Sequence, residues 1–131
     1  MNREIIFRAK NDKNDWVKGD LIHIKRESDT TIRIHNVFNM FDVKFETVGQ
    51  FTGLTDKNGT KIFEGDILKR IITAGDGEKY ISTDIVKFSG ACFCTYDISD
   101  KNDTGLYLVN WSGHEIEIIG NRHDNPELLI F

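Results

Sequence analysis

Apolar and polar residues alternate in short runs along this chain, and the runs are rich in β-branched and aromatic side chains. Trp16-Val17-Lys18-Gly19-Asp20-Leu21-Ile22-His23-Ile24 is one such run, and Asp66-Ile67-Leu68-Lys69-Arg70-Ile71-Ile72 is another. A period of two is the signature of a strand that buries one face. It predicts strands over 5–9, 16–25, 31–34, 43–45, 50–54, 61–63, 66–72, 80–88, 92–97, 106–109 and 115–119. Nothing sustains a 3.6-residue period for three turns. The one helical signal is short, Asn125-Pro126-Glu127-Leu128-Leu129, where proline suits a first helical position. Turn chemistry separates the runs at Asp56-Lys57-Asn58-Gly59 and Gly75-Asp76-Gly77-Glu78. Many short strands with hairpin-length connections predict an all-β fold.

The densest information lies in residues 48–69, which read as strand, turn, strand, turn, strand. Gly49, Gly53, Gly59 and Gly65 fall where the backbone reverses or approaches another backbone closely. Phe51, Leu54, Ile62, Phe63, Ile67 and Leu68 read as packing residues, and Asp56, Asn58 and Asp66 as turn-forming ones. An internal echo aligns Trp16–Ile24 with 62–70, each copy carrying Gly-Asp before a strand-like run (Gly19-Asp20, Gly65-Asp66). The echo predicts two similar corners, in which glycine takes the strained position and aspartate accepts backbone N–H groups.

Composition narrows the class. A chain of 131 residues fits one domain, 1–131, and 29% charged against 39% hydrophobic residues is a globular balance. No window approaches the ~18 consecutive apolar residues of a membrane span. The opening residues carry too short an apolar run for a signal peptide, so a cytoplasmic protein without membrane association is expected. Two cysteines in that setting predict free thiols. Net charge is −4, but residues 1–70 carry +2 and residues 71–131 carry −6. The first half therefore has room for a local basic patch; the whole chain has no field drawing in nucleic acid.

Chemical motifs are few. Cys92 and Cys94 lie two apart on a strand and face the same way, but a structural zinc site needs four ligands. His114 and His123 are the nearest candidates to complete one, and no second cysteine pair exists. Asp97, Asp100, Asn102, Asp103 and Gly105 form an oxygen-rich loop. Counting twelve from Asp100 reaches Trp111 rather than glutamate, so the loop reads as one that bonds its own backbone. No serine lies in Gly-x-Ser-x-Gly, and His23, His35, His114 and His123 are scattered. Glu115 and Glu117 read as an exposed strand face. No catalytic residue, cofactor or metal is assigned, and the chain is expected not to be an enzyme. Phe38, Phe41 and Phe45 near Arg33, His35 and Lys44 leave two readings open: a core or oligomer interface, or a base-stacking surface beside cations. The residues carried forward as nucleic-acid contacts are Arg33, Phe38, Phe41 and Lys44. Arg8, Asp15 and Trp16 stay open between ligand contact and packing.

Residues 48–69, with Arg8-Ala9-Lys10, Asp15-Trp16-Val17, Glu117-Ile118-Ile119-Gly120-Asn121 and Asn125-Pro126-Glu127-Leu128-Leu129, resemble the YopX family of phage- and prophage-encoded proteins. Residues 72–110 match none of its motifs. The resemblance implies an SH3-like roll or barrel, often oligomeric, and carries no assigned activity. The resulting expectation is a phage or prophage accessory protein acting as a non-catalytic binding or self-assembling β module. Its expected partners are further copies of itself and a host or phage protein. The alternative is a nucleic-acid-associated regulator that uses the basic N-terminal half.

Overall fold

A computed structural model of the chain describes residues 4–36, 39–100, 105–107 and 114–130. The fold is all-β, built from antiparallel sheets, with two short 3₁₀ turns among the described residues, Phe45–Thr47 and Pro126–Leu129. The second of these occupies the short C-terminal helix expected from the sequence. The chain divides into two compact units, 1–53 and 54–131.

The first unit contains β1 (Phe7–Lys10), β2 (Trp16–Lys25), β3 (Thr30–His35), β4 (Met40–Asp42) and the start of β5 (Gly49–Thr55), in the sheet order β4-β3-β2-β1-β5. Its buried residues include Ala9, Ile34 and Phe51. Strand β2 changes partner at Gly19: Trp16 to Gly19 pair with β1, and Asp20 to Lys25 pair with β3. A Cβ on Gly19 would lie 2.2 Å from the His35 carbonyl oxygen, so only glycine allows the two backbones this close. The strand expected at 43–45 is displaced. Met40–Asp42 pairs with β3 instead, Val43 makes an isolated bridge to Asn11, and Phe45 enters the 3₁₀ turn. Thr47 explains the displacement: its Oγ1 donates to the Lys44 carbonyl (2.7 Å) and accepts the Lys10 N–H (2.8 Å), curling the segment that a strand would keep straight.

The second unit carries the hairpin into β6 (Lys61–Phe63), then β7 (Asp66–Thr73), β8 (Lys79–Ser89), β9 (Cys92–Asp97), β10 (Leu106–Tyr107) and β11 (His114–Asn121), with the sheet order β10-β9-β8-β7-β11. Ile62, Leu68, Val86 and Ile116 form its core, with Ile118 packed against them. Phe63 and Ile67 are also buried. Leu54 is not a packing residue; it is 39% exposed. With Phe51 buried, the strand's alternation assigns Leu54 to the opposite face with Gln50 and Thr52. One charge is fully enclosed. Asp84 accepts from Arg70 Nε at 2.7 Å and from Ser82 Oγ at 2.8 Å, so it is paired and hydrogen-bonded as a buried charge must be.

Gly53, Gly59 and Gly65 have φ of +92°, +80° and +91°, whereas Gly49 is the first residue of β5, opposite Arg8. Gly65 makes the corner between β6 and β7: its N–H donates to Val86 O and its C=O accepts from Arg122 N–H, both at 2.9 Å. Asp66 Oδ2 accepts the Phe63 N–H at 2.7 Å across the same corner. The echo of Gly19 and Gly65 thus joins two different devices, a strand that changes partner and a tight turn. The matching corners lie just before it. In Asn11–Asp15 and in 56–60, a side-chain oxygen of the first residue accepts the N–H groups two and four positions on. In both loops the fourth residue has positive φ, Asn14 at 64° and Gly59 at 80°.

Asp56 does more than shape its loop. Its Oδ1 accepts from Asn58 (2.9 Å) and Thr60 (3.0 Å), and its Oδ2 accepts the Ile118 N–H of β11 at 3.1 Å. Lys57 N–H donates to Ile116 O at 2.9 Å, and Lys57 Nζ lies 3.1 Å from Glu115 and 3.5 Å from Glu117. Burial alone would raise the Asp56 pKa; the N–H groups of Ile118, Thr60 and Asn58, with the Lys57 charge, outweigh it and hold the carboxyl below its ordinary 3.8.

Two outcomes follow from these contacts. Asp56→Ala should lower unfolding free energy by on the order of 2–4 kcal/mol in urea denaturation at neutral pH. Because the folded pKa is depressed, this contribution is present above the unfolded pKa and is lost as pH falls through the folded one, so wild type and variant should converge in acid. Gly19→Ala, which must push the β3 backbone away, should cost roughly 2–3 kcal/mol by the same measurement.

Candidate binding face on strands β1 and β2

The register of β1 against β2 pairs Arg8 with Lys18 and Lys10 with Trp16. Opposed residues of an antiparallel pair share a face, as do residues two apart on one strand. Arg8, Lys10, Trp16 and Lys18 therefore stand on one face, and Phe7, Ala9 and Val17 on the other. Ala9 is fully buried on the second face, while Gly49, opposite Arg8, and Phe51, two residues on, are buried on the first.

On the first face the indole of Trp16 lies against cations. The Arg8 guanidinium carbon is 4.6 Å from the ring centroid and Lys10 Nζ is 5.3 Å from it. Such contacts, on the order of 0.5–1 kcal/mol each at partly exposed sites, hold the charges over the ring. Lys18 continues the row into an open hollow of about 380 Å³ lined also by Ile6, Gly19, Asp20, His35 and Asn36. Among the residues lining the hollow, Lys18 and Asp20 carry opposite charges.

The contacts chosen from sequence do not assemble. Arg33 is ion-paired with Asp42 at 2.6 Å, and Lys44 Nζ donates to Asn14 Oδ1. Phe41 pairs with Ile34 while Arg33 pairs with Asp42, which puts Phe41 and Arg33 on opposite faces. Phe45 is 69% exposed on its 3₁₀ turn, and Phe38 lies outside the described residues. Of the three residues left open, Arg8 and Trp16 meet; Asp15 belongs to the hairpin loop, its N–H bonded to Asn11 Oδ1 at 2.9 Å. Lys10 was not singled out. The signal for it was its spacing: two residues from Arg8, and across a loop with an asparagine at each of its turning positions, Asn11 and Asn14.

The remaining polar groups serve other ends. Asp97 Oδ1 accepts from Ser99 N and Oγ at 2.9 and 2.8 Å, so its loop bonds itself; Asn102 and Asp103 lie outside the described residues. Burial, then the nearby Arg70 charge, lowers the His114 pKa against the opposing pull of Asp84. Cys94 is buried beside the half-buried Cys92, and burial followed by the neighbouring thiol pushes its pKa up. Among the described residues, no three His, Cys, Asp or Glu side chains gather in a metal-holding group, and no helix is long and apolar enough to cross a membrane.

No curated protein matches the chain. Among solved structures it is similar to the crystal structure of protein EF1440 from Enterococcus faecalis, with 25% sequence identity and a TM-score of 0.53, over 97% of this chain and 99% of that one. The family model described as YopX protein matches residues 6–130, which includes the β1–β2 face, the Asp56 loop and the Gly65 corner. The chain belongs to the YopX protein family.

Proposed function

We propose that this chain is a non-catalytic binding module, a phage or prophage accessory protein that takes an anionic partner on the Trp16 face of β1 and β2. One observation carries the reading: Arg8 and Lys10 lie over the Trp16 ring, and Lys18 stands on the same face. The polar cluster most like catalytic machinery, Arg70 with Asp84 and Ser82, is enclosed in the sheet and spends its hydrogen bonds internally, which supports a structural role. An SH3-like roll is the proposed form of the second unit. Its support is the run β7-β8-β9-β10 in adjacent order with β11 returning beside β7.

The partner expected first is an acidic protein surface. Nucleic acid is the second reading, favoured by Trp16 itself, since an indole among cations suits both a base and its phosphates. Self-association is the further part of the proposal. Tyr80 and Ile81 are adjacent on β8, 54% and 65% exposed, so both faces of that strand end offer apolar surface to another copy.

Capture from phage-carrying host lysate, with and without nuclease, tests the binding role. A protein partner should survive nuclease and be lost with Arg8→Ala or Trp16→Ala while the fold is retained. Retention by both variants would remove the assigned face. Recovery that vanishes with nuclease would favour nucleic acid, and each lost cation should then lower the salt slope by about one. Ile81→Lys should shift sedimentation velocity toward the monomer with unchanged circular dichroism; an unchanged oligomer, or a monomeric wild type, contradicts assembly through β8.

A further inference from the structure

Two thiols are brought together where no other function has been assigned. The register of β8 with β9 opposes Ser89 to Cys92 and Lys87 to Cys94, so these four residues share one face. Cys92 Sγ and Cys94 Sγ are 3.6 Å apart, and both point at the Ser89 carbonyl oxygen, at 3.3 and 3.9 Å. The turn between the strands fixes this convergence: Gly90 and Ala91 both have positive φ, 60° and 66°, a pairing that closes a two-residue hairpin. Cys94 is anchored in the buried layer, while Cys92 keeps a solvent-facing side.

We propose that Cys92 and Cys94 form a two-sulfur site for a soft thiophilic cation, Cu(I). An ion placed about 2.3 Å from each sulfur, a typical metal–thiolate length, would subtend an S–metal–S angle of about 100° with the sulfurs where they stand. Such an angle suits a trigonal rather than a linear Cu(I), so a small thiol from solution completes the set with the sulfurs where they stand. Thiolates select soft ions, and Cu(I) accepts fewer ligands than the four that a structural zinc site demands. Binding is a ligand exchange without redox change: the ion forms two Cu–S bonds and the two thiols release two protons to solvent. The resulting dithiolate complex carries a single negative charge. Lys87, directly across from Cys94 and held 5.1 Å over the Tyr96 ring, supplies an opposite charge on that face. The exposed side of Cys92 leaves the ion one open direction, toward small thiols in solution.

Titration of the full chain with Cu(I) under anaerobic conditions, against a chromophoric Cu(I) chelator, tests the site. One ion per chain is expected, with near-ultraviolet sulfur-to-copper absorption that appears in step with binding. Cys92→Ser alters only the half-exposed thiol, so its fold should persist by circular dichroism, and its Cu(I) affinity should fall at least tenfold. Cys94→Ser should behave likewise. Wild type that removes no more copper from the chelator than a Cys92→Ser, Cys94→Ser double variant overturns the proposal. So does full affinity in Cys92→Ser, which would place the ion elsewhere.

Discussion

The carboxylate of Asp56 is the contact on which the second unit depends most. A β-sheet ends in strands whose outer N–H and C=O groups lack partners, and β11 is such an end. Asp56 and Lys57 meet that edge in place of another strand: the carboxylate takes the Ile118 N–H and the Lys57 N–H reaches Ile116 O. The same carboxylate closes its own loop through Asn58 and Thr60. One side chain thus fixes the hairpin and covers an edge. The core residues Ile62 and Ile116 belong to the two pieces it joins. The Gly65 corner repeats the arrangement on β8, with its N–H on Val86.

The hairpin loops show how little chemistry separates a turn from a brace. Asn11 and Asp56 make the same pair of local bonds, two and four residues on. Ala74 supports a third loop of this kind, with its N–H on Glu78 O and Gly77 in positive φ, and there Asp76 provides the side-chain bond. An amide and a carboxylate are equivalent for these local bonds. Asp56 alone of the three reaches a strand in addition, and it does so with the second oxygen and full charge that an asparagine lacks.

The all-β class and most strand positions were legible because period-two alternation and turn residues act locally. Positions decided by distant partners were not. The strand predicted at 43–45 gave way to Met40–Asp42 because Thr47 bonds a residue 37 positions away. Leu54 looked like packing by its type, but it follows Gly53 in positive φ and is left 39% exposed. The Gly19 and Gly65 echo was present in the residues, but its two halves do different work, because the His35 backbone crowds only the first. The binding face followed the same pattern. Arg8 and Trp16 were visible as candidates, whereas Lys10 joined them only once the loop length fixed the register. Arg33 and Phe41, close in sequence, were separated by that same alternation onto opposite faces.

Framework and binding surface are therefore distinct in this chain. The residues of 49–66 build corners and cover an edge, and the cations beside Trp16 carry the proposed binding role. The most direct check of the framework is a carboxyl-carbon NMR titration of Asp56 with the Asn58, Thr60 and Ile118 amides followed in the same samples. The carboxyl should titrate below its ordinary 3.8, and the three amides should move with that midpoint. A midpoint at or above 3.8, or an Ile118 amide indifferent to it, would contradict the bond that ties the loop to β11.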